Sequence, residues 1–279
     1  MSSPLEISAT LIEILSRLTD RELVEIISVN KQFRNVLDIN DFWIEHSKHF
    51  LHPFVLENIP ITYPAKDWYL RYRRVSFDEE VLFENSRIFY MIRLNNPIII
   101  EELFARYKID LLDWMEQTVG PIETIVGENL TAFVDYILKH KNDSTFTNIL
   151  NYLVEDAMIS GNVGLMERLF NEGFLPTNTA YIGFAFSGPE NMLKSYMILD
   201  KYGVPPSNVG LQLDIYSFVA HHVAEYIING KDIEGYRKVF QWLRDRGLPY
   251  TGINWVGAHI PIEVRENVSN IINDFFNNE

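Results

Sequence analysis

Apolar residues recur at helical spacing along the first fifty positions. Leu11, Ile14, Leu15 and Leu18 stand at i, i+3, i+4 and i+7, which predicts one face of a helix, and Ile7 extends that face by a turn. Thr19 and Glu22 have the spacing of a capping box, so a second helix is predicted to start there, with a stripe of Leu23, Ile26 and Ile27. Ser28 is the predicted cap of a third stretch bearing Val29, Phe33, Val36 and Leu37. Asn40 or Asp41 is the predicted cap of a fourth, bearing Phe42, Trp43 and Phe50. These stripes suffice for a small three- or four-helix core. Leu5, Ile12 and Val24 fall off them, about 100° away on the helical wheel. Such surplus apolar positions point to an interaction face or to packing on the rest of the chain, and periodicity weighs the two equally.

Further along, the pattern repeats. Polar turns at Leu94–Pro97, Gly127–Asn129, Ser160–Asn162, Ser187–Asn191 and Asn229–Asp232 each precede an amphipathic segment. One apolar position runs through these segments, at Leu103, Ile137, Leu169, Leu199 and Leu243, with intervals of 34, 32, 30 and 44 residues. The long last interval places an insertion within Ser207–Phe218. Three units end alike, at Gly173-Phe-Leu-Pro, Gly203-Val-Pro and Gly247-Leu-Pro. Glycine in a left-handed conformation ends a helix and proline prevents its restart. Each unit therefore reads as helix, polar turn, helix and Gly/Pro loop. One such unit cannot bury its apolar face alone, but a stack shares a continuous core whose ends need caps. The N-terminal cluster is the expected cover at one end. The expected cover at the other is a helix over 261–279, with Val264, Val268, Ile271, Ile272 and Phe275 on one face. The expected fold class is all-α, divided into a helical cluster (1–50), a connecting segment (51–83), about five repeats (84–260) and the capping helix.

Charge and cysteine content narrow the function classes. The formal net charge is −14, which repels phosphate backbones, so nucleic acid is not expected as a partner. There is no cysteine, which removes disulfides, thiol nucleophiles, iron–sulfur clusters and cysteine zinc sites. No apolar run is long enough to span a bilayer, and no basic-then-apolar leader opens the chain. A soluble cytoplasmic protein is the expectation.

Candidate chemistry is sparse. His46, His49 and His52 at i, i+3 and i+6 are either metal ligands or the polar end of a helix stopped by Pro53, and the second reading is favoured. His221 and His222 are adjacent, so their rings diverge on a helix. The carboxylate pairs Glu101–Glu102 and Glu155–Asp156, with the run Asp78–Glu80, read as solvated faces rather than acid–base pairs. No phosphate-binding loop, dinucleotide turn, nucleophile elbow or zinc-protease motif is present. The chain is expected to be no enzyme and to hold no cofactor and no metal. Arg71–Arg74, interleaved with Trp68, Tyr69 and Tyr72, is expected to pack its aromatics on the N-terminal helices, with guanidinium groups solvated or paired to Asp78–Glu80. Trp114, Trp242 and Trp255 are expected in the core, unless one serves as a binding anchor.

Residues 11–43 resemble an F-box. The chain reads LIEILSRL (Leu11–Leu18), DREL (Asp20–Leu23), VNKQF (Val29–Phe33) and DFW (Asp41–Trp43) in the order and spacing of that motif. The usual opening Leu-Pro is absent near Glu6–Ile7, with Pro4 out of register, and Asn30 stands where the motif has cysteine. KDWYLRYRR (Lys66–Arg74) resembles the Trp/Tyr helix that often follows. The resemblance implies docking to a Skp-type adaptor protein and, through it, to a cullin ligase complex. The residues expected to dock are Leu11, Ile12, Leu15, Leu18, Leu23, Val24 and Trp43. Residues 84–252 resemble divergent ankyrin repeats, most closely at Ile159–Pro176, although no unit carries the Thr-Pro-Leu-His start. Together these imply a non-catalytic subunit that recruits an unknown protein target to ubiquitin transfer. The alternative is an ankyrin-type scaffold or inhibitor without a role in ubiquitin ligation. An F-box at the start of a short-repeat ankyrin array also resembles proteins of large DNA viruses, which would place the chain in a host cytoplasm.

Overall fold

The computed structural model describes residues 9–29, 31–84, 87–118, 120–176, 188–204, 215–248, 250, 252–255 and 259–277. Among these the regular structure is all-α. Pro4, Leu5, Glu6, Ile7, Asn30, Ser187 and residues 207–214 of the expected insertion lie outside the described set. The chain divides into two compact units, residues 1–111 with 130–136 and residues 112–129 with 137–279.

The first unit begins with α1 (Ala9–Ser16), α2 (Asp20–Val29), α3 (Lys31–Arg34) and a 3₁₀ turn (Asn35–Asp38). The predicted capping box is present. Glu22 accepts from the Thr19 amide at 2.8 Å, and Thr19 Oγ1 accepts from the Glu22 amide at 3.3 Å. Ser28 caps nothing. It lies inside α2 and donates to the Glu25 carbonyl at 2.6 Å, because the helix runs through it. Helix α4 (Asn40–Phe50) follows, and its entry is capped by neither Asn40 nor Asp41. The Asn40 side-chain oxygen Oδ1 instead accepts from the Ala65 amide at 2.9 Å and ties α4 to the start of α6 (Ala65–Tyr72). Between them lies α5 (Pro53–Asn58). Helix α4 packs on both α1 and α6 and supplies the buried Phe42 and Trp43. Helices α7 (Glu79–Glu84) and α8 (Arg87–Arg93) pack on each other. Helix α9 (Pro97–Gln117), which passes from the first unit into the second after Leu111, is capped by Asn96, whose side-chain oxygen accepts from the Ile98 and Ile99 amides, and is kinked at Tyr107 (φ −130°, ψ 32°).

The second unit holds α10 (Pro121–Gly127), α12 (Thr147–Ser160), α13 (Val163–Asn171), α14 (Gly188–Lys201), α15 (Ile215–Ile228), α16 (Glu234–Asp245) and α17 (Ile262–Asn277), and α11 (Thr131–Lys139) spans the boundary. Helix α10 packs on α12, α13 on α14, α14 on α16, and α15 on α16 and α17. Asn162 shows how the polar turns work. Its oxygen caps α13 at the Leu165 amide (3.1 Å), while its Nδ2 donates to the Val126 carbonyl, 36 residues earlier, at 3.0 Å.

All five recurrent apolar positions, Leu103, Ile137, Leu169, Leu199 and Leu243, are completely buried. Two separate registers produce that recurrence. Left-handed residues at Asn95, Asn129 and Gly161 precede Leu103, Ile137 and Leu169 by eight positions each. Left-handed glycines at Gly173, Gly203 and Gly247 follow Leu169, Leu199 and Leu243 by four. At these ends the amides of Phe174, Val204 and Leu248 bond back to the carbonyls of Leu169, Leu199 and Leu243, the six-to-one closure of a helix C-terminus. Only Leu169 obeys both registers, because α14 and α16 are longer than α13.

On α17, Val268 and Ile272 are buried, while Val264, Ile271 and Phe275 are half-buried. Trp114, Trp242 and Trp255 are also half-buried, not core. Trp114 and Trp242 lie on α9 and α16, and Trp255, outside any helix, donates from Nε1 to Ser269 Oγ at 3.3 Å, so each indole keeps an edge in water.

Candidate functional site

The N-terminal helices carry the residues that the sequence names for partner docking. Its seven candidate residues divide sharply. Leu15, Leu23 and Trp43 are buried, so they are core rather than contact residues. The physical reason is that α1 lies on α4, which turns Leu15 inward, and that Trp43 Nε1 is held by the Leu37 carbonyl at 2.7 Å. Leu11, Ile12 and Leu18 are half-buried. Val24 is 68% exposed. Ile14, expected on the inward stripe, is 57% exposed. The contact with α4 is narrower than the stripe, so only Leu15 is sealed and Ile14 is left outside. The exposed apolar set is therefore Ile14 and Val24, flanked by half-buried Ile12, Leu18 and Ile27.

Ile12 and Ile44 also face a groove of about 420 Å³ between α1 and α4. Glu13, Asp41 and Glu45 rim it. Glu13 is bound by Arg17 at 2.9 Å, one turn on.

Asp20, the first residue of α2, gathers a polar knot that sequence reasoning missed. The Tyr69 hydroxyl donates to Asp20 Oδ1 at 2.8 Å, Arg73 donates to Asp20 Oδ2, and His46 Nε2 lies 3.3 Å from Oδ1. His46 Nδ1 donates to the Ser16 carbonyl at 2.9 Å. The imidazole is fully buried among Phe42, Phe50 and Tyr69. Burial raises the Asp20 carboxyl, but the hydrogen bonds from Tyr69, Arg73 and His46 outweigh it and hold the group below its ordinary value. Burial, and then the same carboxylate, push the Tyr69 hydroxyl up. The expected pairing of Arg71–Arg74 with Asp78–Glu80 is thus replaced for Arg73 by Asp20. Arg71 donates to the Leu94 carbonyl at 2.7 Å. In the sequence Asp20 stands only as part of the DREL stretch, and its partners lie 26 to 53 residues away.

The three spaced histidines do not converge. His46 is buried in the knot, His49 is exposed, and His52 caps α5 by accepting from the Phe54 amide at 3.2 Å. Among the described residues no group of three ligating side chains is placed to hold a metal. No described helix is long and apolar enough to cross a membrane.

The second unit contains an open cleft of about 310 Å³ lined by Glu116, Glu123, Tyr152, Glu155 and Asp156. Asp156, expected to be solvated, is half-buried. Burial, with Glu123 and Glu155 alongside, raises its carboxyl to about 6.

No protein-family model matches the chain, and neither the curated proteins nor the solved structures yield a match.

Proposed function

We propose that the chain is a non-catalytic adaptor: its N-terminal helices dock on a Skp-type protein of a cullin-based ubiquitin ligase, and its helical hairpins hold a target protein. The observation that carries this reading is Val24, an aliphatic side chain left in water on α2 within a motif that resembles an F-box. Ile14 adds to the same exposed set. Leaving aliphatic surface in water forgoes about 25 cal/mol per Å² that a partner can recover. The knot of Asp20, Tyr69, Arg73 and His46 supports it by fixing the first turn of α2, the helix that carries Val24, since a preordered helix loses less entropy on docking.

The finer fold belongs to the same proposal. The alternating hairpins, their left-handed turn residues and the buried ladder from Leu103 to Leu243 support an ankyrin-like solenoid in which α17 closes the end. The chain's contribution would be proximity, holding a target's lysines near a charged ubiquitin carrier.

The test is co-purification of the full chain with a Skp-type adaptor from eukaryotic cells. The wild type is expected to retain the adaptor, and Val24→Asp to lose it by about tenfold or more. Val24 is the right probe, because a charge at buried Leu15 would unfold the unit instead. Equal recovery with Val24→Asp removes this docking face. Failure of the wild type to bind leaves the scaffold or inhibitor reading.

A further inference from the structure

Helices α14 and α16 pack side by side, yet part of the valley between them is open. They are pinned together at both ends. At the start, Gly235 lies so close to Pro189 that an added Cβ would come within 2.7 Å of the proline ring. At the far end, Arg246 is bonded to Asp200. About eleven helical residues separate Pro189 from Asp200, a span of about 16 Å, or three turns.

The neighbouring junction between α13 and α14 is bridged differently. There Lys201 pairs with Glu167 at 3.1 Å, the Tyr202 hydroxyl donates to Asn171, and the Phe170 and Tyr202 rings meet at 5.4 Å. Between the two pins of the α14–α16 pair lies instead a groove of about 410 Å³ with Leu193, Met197, Trp242 and Phe275 along it. Met197 is 52% exposed. Trp242 is held in place by the Tyr196 ring at 5.6 Å and the Arg246 guanidinium at 5.1 Å. Among the described residues the groove is therefore apolar, preformed and uncovered.

Its charge runs against that of the chain. In a protein of net charge −14, the stretch from Glu234 to Arg246 carries four cations and two carboxylates. Arg237 and Lys238 both line the groove and are exposed. Among the described residues Arg237 pairs with Glu234, one turn away at 3.0 Å, in a pair mostly open to solvent and readily exchanged. The one carboxylate on the lining, Asp245, is engaged by Gln241 Nε2 at 2.6 Å.

We propose that the groove between α14 and α16 docks an acidic amphipathic helix of a partner protein, with its aliphatic side chains on Met197 and Trp242 and its carboxylates facing Arg237 and Lys238. Helices that dock in grooves present apolar anchors at i, i+3, i+4 and i+7, and three turns accommodate such a set. Two cations beside an apolar floor select carboxylate over ammonium at the helix margin. The inference rests on the reading that the hairpins carry the target, but not on the adaptor docking at α1 and α2.

The test uses the full chain and two labelled designed helices of about fourteen residues, with identical leucines and either glutamate or lysine elsewhere, in fluorescence anisotropy at physiological salt. The glutamate helix is expected to bind saturably. Met197→Glu and Lys238→Glu should each weaken it about tenfold or more, and as exposed substitutions they should leave the melting temperature in place. The lysine helix, attracted by the overall negative charge, should show no sensitivity to Met197→Glu. Val24→Asp should leave glutamate-helix binding unchanged, which separates this groove from the adaptor face. The proposal is overturned if the glutamate helix does not bind, if Met197→Glu and Lys238→Glu leave its affinity unchanged, or if a single-stranded oligonucleotide displaces it more effectively than unlabelled peptide.

Discussion

The Tyr69 hydroxyl donates to Asp20 Oδ1 at 2.8 Å across 49 residues of sequence and fastens α6 to the first turn of α2. Arg73, the C-cap that follows α6, bonds the other oxygen of the same carboxylate. One side chain thereby joins α2 to α6, and buried His46 joins α4 to both.

Removing that carboxylate's charge should loosen the first unit. Asp20→Asn is expected to cost about 1 kcal/mol, a figure reduced because the side chain is partly exposed. The Asp20 carboxyl is held low in the folded state, so its contribution is present above the ordinary aspartate value and fades as pH falls through the lowered one. Chemical denaturation of both proteins at neutral and strongly acidic pH checks this. The gap between them should close in acid, and a gap independent of pH would refute it.

Asp156 should behave in the opposite sense. Its carboxyl is raised to about 6, so the folded protein holds that proton more tightly than the unfolded chain. Stability from this group is complete in acid and is lost as pH rises through 6. Asp156→Asn is therefore expected to stabilise the protein at pH 7 by about 1 kcal/mol, a few degrees in Tm, and to give no advantage near pH 4. Melting curves at the two pH values decide it.

Exposed and buried positions of the N-terminal face should separate cleanly. Leu15→Ala removes packed methyl groups and is expected to cost about 2–4 kcal/mol. Val24→Asp, on the solvent side of α2, should change stability by no more than about 0.5 kcal/mol. If Val24→Asp destabilises as much as Leu15→Ala, Val24 is covered in solution.

Two glycines offer a further contrast. Gly235 has no room for a methyl group beside Pro189, so Gly235→Ala should part α14 from α16 and lower stability by about 1–3 kcal/mol. Gly127 is helical and open around its Cβ direction, so Gly127→Ala should be neutral or stabilising by up to about 1 kcal/mol. Equal effects would show that the close approach at Pro189 carries no weight.

Features that depend on neighbours along the chain were legible in advance. The Thr19–Glu22 capping box, the Asn162 turn and the left-handed glycines 173, 203 and 247 involve residues a few positions apart, so composition and spacing suffice to foretell them. The recurrence of Leu103, Ile137, Leu169, Leu199 and Leu243 also foretold burial, since an apolar position in each hairpin has nowhere else to go. Its apparent single period concealed two registers, because helix length varies between units and period counting does not register where a helix starts.

By itself, then, the sequence determined the helical class, the Thr19–Glu22 helix start, the glycine-closed helix ends at 173, 203 and 247 and the burial of the five recurrent apolar positions, all of which follow from the chemistry of adjacent turns. Tertiary structure alone decided the rest: that Ile14 faces water while Leu15 does not, that Asp20 gathers Tyr69, Arg73 and His46, that Asp156 is half-buried among carboxylates, and that α14 and α16 leave a groove between two pins. Each of these depends on which neighbour reaches a given face. That choice is set by packing between segments tens of residues apart, where helical periodicity carries no information.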